Sequence, residues 1–207
     1  MKRLKFIACL PVLALLTGCS EEPKKAAEAA KEAAAPLEPV SAQSAVHQMF
    51  MKARAWAPDV KLFRVTAMNL QEVKSEGGKA GAWDATFISE SRGRSRRYTY
   101  SVIELPASNI HKGPFAGPED AWSAGGQNAP FVIQALKTDS TAAYDVAVKK
   151  SQEYMKKNPT MQIQILLEKT KRFPNPAYRI IWGDSVATSN YSIFVDASTG
   201  EYLQTAR

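Results

Sequence analysis

The segment Ile193-Phe194-Val195-Asp196-Ala197-Ser198-Thr199-Gly200-Glu201-Tyr202-Leu203 decides the reading of this chain. Tyr191, Ile193 and Val195 recur at every second position, as a strand with one buried face requires. Asp196 can accept hydrogen bonds from the amides that follow it, and Gly200 can take positive φ. With Thr199 they form a structural turn that closes the strand and returns Tyr202 and Leu203 toward the sheet. Working upstream, Gly183-Asp184 starts a loop, and Tyr178, Ile180 and Trp182 form the preceding strand. Pro174-Asn175-Pro176 makes a turn. Met161, Ile163, Ile165 and Leu167 alternate with Gln162, Gln164 and Glu168 in a further strand. Before them Asp139-Ser140 caps a helix whose face carries Tyr144, Ala147, Val148, Ser151 and Met155, and Asn158-Pro159 stops it.

The same order stands earlier in the chain. Ser41 caps a helix with Ala42, Ala45, Val46, Met49, Ala53 and Trp56 on one face, ended by Pro58. Val60 to Leu70 reads as a strand and Glu76-Gly77-Gly78-Lys79 as a turn. Trp83, Ala85 and Phe87 alternate in a second strand; Tyr98, Tyr100 and Val102 alternate in a third. A three-stranded sheet with one apolar face needs a cover, and the helix of its own unit is nearest. The expected fold class is therefore α+β, with two helix-plus-three-stranded antiparallel (αβββ) units at 40–104 and 137–207. A Pro/Gly-rich linker at 105–136 joins them, with Phe131-Val132-Ile133 read as a short strand.

The C-terminal segment resembles the end of PepSY domains, modules of peptidase propeptides and cell-envelope proteins, which finish on a strand, an Asp, then Thr-Gly and an acidic residue. Pro176-Ala177-Tyr178-Arg179-Ile180-Ile181-Trp182 resembles the family's preceding strand, and the helix from Ser140 its opening. The likeness covers roughly residues 131 to 206. The first unit departs from it: Val102-Ile103-Glu104 leads into Leu105-Pro106-Ala107 without Thr-Gly, as in a degenerate copy. The resemblance implies binding or inhibition of envelope partners, with regulation of a peptidase as the alternative, and not a reaction.

The N-terminus supports export. Lys2, Arg3 and Lys5 precede an apolar run from Phe6 to Leu16, whose 11 positions fall short of the ~20 of a membrane-spanning helix. Leu16-Thr17-Gly18-Cys19 resembles the lipobox of bacterial lipoproteins, which implies residues 1–18 as signal peptide and Cys19 as the lipidation site. Ser20 after the cysteine is similar to outer-membrane sorting in proteobacterial lipoproteins, so the expected place is the envelope of a diderm bacterium, lipid-anchored and facing the periplasm. Residues 19–39 then form a tether, with Glu-Glu-Pro-Lys-Lys-Ala-Ala-Glu-Ala-Ala-Lys-Glu-Ala-Ala-Ala at 21–35 offering almost nothing to bury. Processing leaves 24 of the 27 basic residues against 20 acidic ones, lowering the charge from +7 to about +4. It also leaves Cys19 as the sole cysteine, so no disulfide or thiolate metal site is expected.

Catalytic patterns are few. Two histidines, His47 on the first helix and His111 before Gly113-Pro114, give no metal-ligand spacing. No His-Glu-x-x-His, Gly-x-Ser-x-Gly or Ser-x-x-Lys pattern occurs. No catalytic residue, metal or cofactor is expected; a small hydrolase using His47 or His111 is the least favoured reading. Ser91-Arg92-Gly93-Arg94-Ser95-Arg96-Arg97 reads as a basic hairpin loop. Its arginines, Arg92, Arg94, Arg96 and Arg97, have two readings. They bind an anionic lipid, polymer or acidic partner, or they form a solvated tip that discourages edge aggregation. Export removes nucleic acid from reach. Trp56, Trp83 and Trp182 read as core, and Trp122 as either a lid between units or a partner contact. Hydrophobic residues at 45% and charged residues at 23% are enough for a packed domain. The expected function is a non-catalytic interaction module binding a protein, peptide or anionic envelope component.

Overall fold

The computed structural model describes residues 37–183 and 185–206; the expected signal peptide, Cys19, Ser20 and the tether through Pro36 lie outside the described residues. The chain order is β1 (Val40–Ser41), α1 (Ala42–Trp56), β2 (Lys61–Met68), β3 (Lys79–Ala80), β4 (Ala82–Ser89), β5 (Arg94–Ser101) and β6 (Gly113–Ala121). It continues with α2 (Ser140–Lys157), β7 (Ile163–Glu168), β8 (Ala177–Trp182), β9 (Tyr191–Asp196) and β10 (Tyr202–Ala206). Eight strands make one antiparallel sheet in the order β10-β9-β8-β7-β2-β4-β5-β6, and β1 pairs with β3 apart from it. The class is mixed helix and sheet, α+β. Among the described residues, no helix is long and apolar enough to cross a membrane.

Helix α1 starts where the Ser41 side chain accepts from the Ser44 amide and ends at Ala57, just before Pro58. It buries Ala42, Ala45, Val46, Met49 and Ala53. Helix α2 buries the smaller stripe Ser140, Ala143, Ala147 and Ser151, while Tyr144 and Met155 flank it half-buried. Small side chains let the helix backbone lie close to the sheet. Both helices join one core with Leu62, Trp83, Phe87, Tyr98, Leu167, Tyr178, Ile180, Trp182, Ile193 and Val195. These strand positions alternate, so the two helices cover the same face. Aromatic packing fills both halves: Phe87 meets Tyr98 edge-on at 5.5 Å, and Tyr154 stacks on Tyr191 at 4.0 Å.

The structure differs from the sequence expectation in its joints. Two separate three-stranded sheets were expected. Instead β2 and β7 pair antiparallel through Arg64–Glu168, Val65–Leu167 and Thr66–Leu166, making one continuous sheet. Pairing satisfies the backbone groups that each inner edge would expose and fuses two apolar faces into one core. Residues 105–136 are also more than a linker, because Gly113–Ala121 is a full sheet strand. Pro114 and Pro118 fit there because β6 is an edge strand, where missing amide donors cost little. Phe131 meets Leu62 in a single bridge with N···O distances of 2.7 and 2.8 Å, and a 3-10 turn at Ile133–Ala135 follows instead of a strand.

Candidate functional site

The C-terminal turn is a self-contained device. The amides of Ser198 and Thr199 donate to Asp196 Oδ1 at 2.7 and 3.0 Å, and Asn175 Nδ2 donates to Oδ2 at 3.1 Å. Gly200 takes φ +79°, and its amide donates to the Asp196 carbonyl at 2.8 Å. Thr199 Oγ1 accepts from the Glu201 amide at 3.3 Å. The carbonyl of Ala197 in turn accepts from Lys137 and Thr138, fastening the turn to the segment that leads into α2. Asp196 is buried, with both carboxylate oxygens engaged. Its chemistry is spent on closing the strand.

The four arginines are not one loop. The turn occupies only Glu90–Gly93, and Arg94–Arg97 already belong to β5. Alternation sends Arg94 and Arg96 to the helix side with Tyr98, and Arg97 to the opposite side. There Arg97 pairs with Asp84, whose burial still outweighs the arginine and raises its carboxyl above the usual range. Arg96 Nε donates to the Gly117 carbonyl at 2.8 Å. Arg92 donates to the Trp56 carbonyl at 3.2 Å, lies over the Trp56 ring, and pairs with Glu119 at 3.6 Å. Trp56 Nε1 donates to the same Glu119 carboxylate at 2.6 Å. Three of the four guanidiniums therefore hold the β4–β5–β6 end together, on two faces; Arg94 is exposed.

His47 is exposed on α1, and His111 contacts Glu104 Oε1 at 2.9 Å and packs on Phe115. The structure gives them no shared partner. Among the described residues, no three His, Cys, Asp or Glu side chains converge as a metal set. Trp83 and Trp182 are buried in the core, while Trp56 is half-buried at its rim. Trp122 lines a shallow hollow with Phe63 and residues 123–128, its amide donating to the Gly93 carbonyl at 3.0 Å.

A larger cleft, about 700 Å³, opens where β2 and β7 part. Their ladder stops at Thr66–Leu166, although β2 runs on to Met68 and β7 begins at Ile163. Past the last pair, the Ala67 carbonyl accepts from the Gln164 side chain at 3.3 Å instead of from a strand amide. Asn69, Leu70 and Gln71 line one wall, and Gln162, Ile163 and Ile165 the other. Tyr144 of α2 forms part of the lining; burial raises its hydroxyl pKa, with Asp145 and Glu76 adding to the shift. Lys74, Glu76 and Lys79 lie at the exposed rim. Gly78 permits this geometry: at φ +81°, a Cβ would sit 2.5 Å from the Ser140 carbonyl oxygen. Glu76–Lys79 and Pro159 carry only turn and stop signals in sequence, so nothing local marks them as lining one cleft. Compared with protein-family models, with curated proteins and with solved structures, the chain finds no match.

Proposed function

We propose that this chain is a non-catalytic interaction module, lipid-anchored through Cys19 and facing the periplasm, that binds an extended peptide segment of an envelope protein. The single observation carrying this reading is the cleft where β2 and β7 separate. Strand backbone beyond a ladder's end offers donors and acceptors to an incoming chain, and alternate side-chain pockets supply selectivity. Here the apolar lining of Leu70, Ile163 and Ile165 suits an apolar anchor, with lysines at the rim for an acidic neighbour. A volume of about 700 Å³ lies within the range of roughly 300–1,000 Å³ of ligand sites.

The finer architecture belongs to the same proposal. We read the chain as two PepSY-like αβββ units, each extended by a fourth strand, that fused along β2 and β7. The element order supports this: a helix followed by four sheet strands occurs on each side of that seam, with the small β3 added in the first. On this reading the peptide cleft lies at the joint that duplication created.

Selection from a displayed random-peptide library, with affinities then measured by fluorescence anisotropy, tests the function. Met161→Glu changes an exposed residue of the cleft lining and is expected to weaken selected peptides by about tenfold, equivalent to about 1.4 kcal/mol. Selected peptides that bind Met161→Glu as well as the native chain would refute the cleft. Inhibition of an envelope peptidase by the native chain but not by Met161→Glu would make that partner a peptidase.

A further inference from the structure

We infer that the open face of the sheet carries a second binding site, for a phosphate group, built by Arg172 and Arg179 around Phe194. Arg179 and Phe194 alternate with Tyr178, Ile180, Ile193 and Val195 of the core, so they face away from the helices. Phe194 is nonetheless only 7% exposed. Phe173 packs on it at 5.3 Å between ring centres, and the guanidiniums of Arg172 and Arg179 lie 5.1 and 5.3 Å from its ring centre. Arg172 also lies 5.5 Å from the Phe173 ring. Two like charges are thus gathered over one aromatic surface.

Among the described residues, neither Arg172 nor Arg179 has a carboxylate as its salt-bridge partner, whereas Arg64, Arg92 and Arg97 each do. Arg179 Nε donates to Ser192 Oγ at 3.0 Å, which fixes the side chain and leaves its terminal nitrogens without a carboxylate. Glu168 is taken by Arg64 at 2.9 Å and by Asn128 at 2.7 Å. Asp196 is taken by the turn amides and Asn175. Lys169 and Lys171, on the same β7–β8 loop as Arg172, add charge without an ion pair among the described residues. Burial lowers the pKa of Arg179; Glu168 opposes this, and the Arg172 charge adds to it. Aromatic stacking holds a guanidinium by its face and leaves its in-plane N–H edge for an oxyanion. Two such edges suit a dianionic phosphate group, which would also relieve the repulsion between the arginines.

The site shares no residue with the seam cleft, so loss of peptide binding in Met161→Glu leaves it untouched, and the two readings fail separately. The test is calorimetric titration of the full chain with inorganic phosphate at constant ionic strength set by chloride. Saturable binding is expected, weakened about tenfold or more by Arg172→Gln and unchanged by Lys52→Gln on exposed α1 surface. Arg172 is exposed on a loop, so its substitution tests the site even where Arg179→Gln impairs folding. Phosphatidic acid vesicles, whose phosphomonoester headgroup can carry two charges, identify a lipid headgroup if they compete away bound phosphate where phosphatidylcholine vesicles do not. Phosphate binding that survives both kinds of vesicle identifies a soluble phosphate ester. Absence of phosphate binding above the chloride background, or equal binding by Arg172→Gln, overturns the site.

Discussion

The backbone amide of Gln43 donates to Asp139 Oδ1 at 3.0 Å, so the residue that caps α2 also closes the first turn of α1. Asp139 Oδ1 accepts from its own Ser140 amide at 2.7 Å as well, and Ser140 Oγ accepts from the Ala42 amide at 2.8 Å. Two helix N-termini, each with unpaired donors and a positive dipole end, therefore meet across one carboxylate and one hydroxyl. Two segments about a hundred residues apart are tied here by polar contacts between side chain and backbone.

Removing that carboxylate affects both helices at once. A single lost N-cap costs about 1 kcal/mol, so Asp139→Ala is expected to lose about 2 kcal/mol. Ser41→Ala, which removes a longer 3.4 Å bond within α1 only, is expected to lose less than half as much. Urea denaturation of both variants reads the comparison. Equal losses would show that Asp139 serves α2 alone.

Gly77 and Gly78 adjoin in one turn, yet their substitutions should differ. Both have positive φ, +56° and +81°. An added Cβ at Gly77 meets nothing within 4 Å, so Gly77→Ala pays only the left-handed strain of about 1–2 kcal/mol. At Gly78 the same atom would lie 2.5 Å from the Ser140 carbonyl oxygen and 2.7 Å from Thr141 Cα, both backbone at the start of α2. Gly78→Ala must displace either the turn or the helix, and a loss of about 3 kcal/mol or more is expected. Thermal unfolding of the two variants measures the gap.

Asp59 gives the β4–β5 hairpin a dependence on acid. Its carboxylate accepts from Ser89 Oγ at 2.7 Å and from the Ser91 amide at 2.9 Å, and these bonds lower its pKa from 3.8 to about 2. The folded value is below the unfolded one, so the group's stabilisation is complete above about pH 4 and is lost as pH falls through about 2. Solvent exposure keeps the energy small, which makes carboxyl NMR titration the suitable measurement. Ser89→Ala removes the largest cause, and the midpoint of Asp59 should move up toward 3.8.

Local patterns were sufficient for the helices and for most of the strands, because caps and alternation are written within a few residues of each element. Ser41, Asp139, Asn158 and the Asp196–Gly200 turn all act within a short stretch of chain. Strand β6 was not legible: Gly113, Pro114, Gly117 and Pro118 carry linker chemistry, and only an edge position, a tertiary fact, admits them as strand. Charge masks the alternation in Arg94–Arg97, which places Arg96 beside Tyr98 and sends Arg97 to the face where it pairs with Asp84. The cleft and the Arg172–Arg179 pair were invisible for one reason. Each joins residues whose proximity depends on strand register, and register is set by packing across the whole sheet.

The β2–β7 seam makes the two halves one cooperative structure, and this can be tested. Val65 and Leu167 face each other across the seam, both essentially buried within the shared core. Leu167→Ala is expected to cost about 2–5 kcal/mol, the usual range for such a cavity. With a shared core, that loss should lower hydrogen-exchange protection in β4 and β9 together, although they lie on opposite sides of the seam. Domains that merely touched would lose protection in the β7–β10 half alone. Denaturation followed by fluorescence and by far-UV circular dichroism should likewise give coincident single transitions for the native chain. Two separated transitions would mean that three seam pairs are too few to couple the halves.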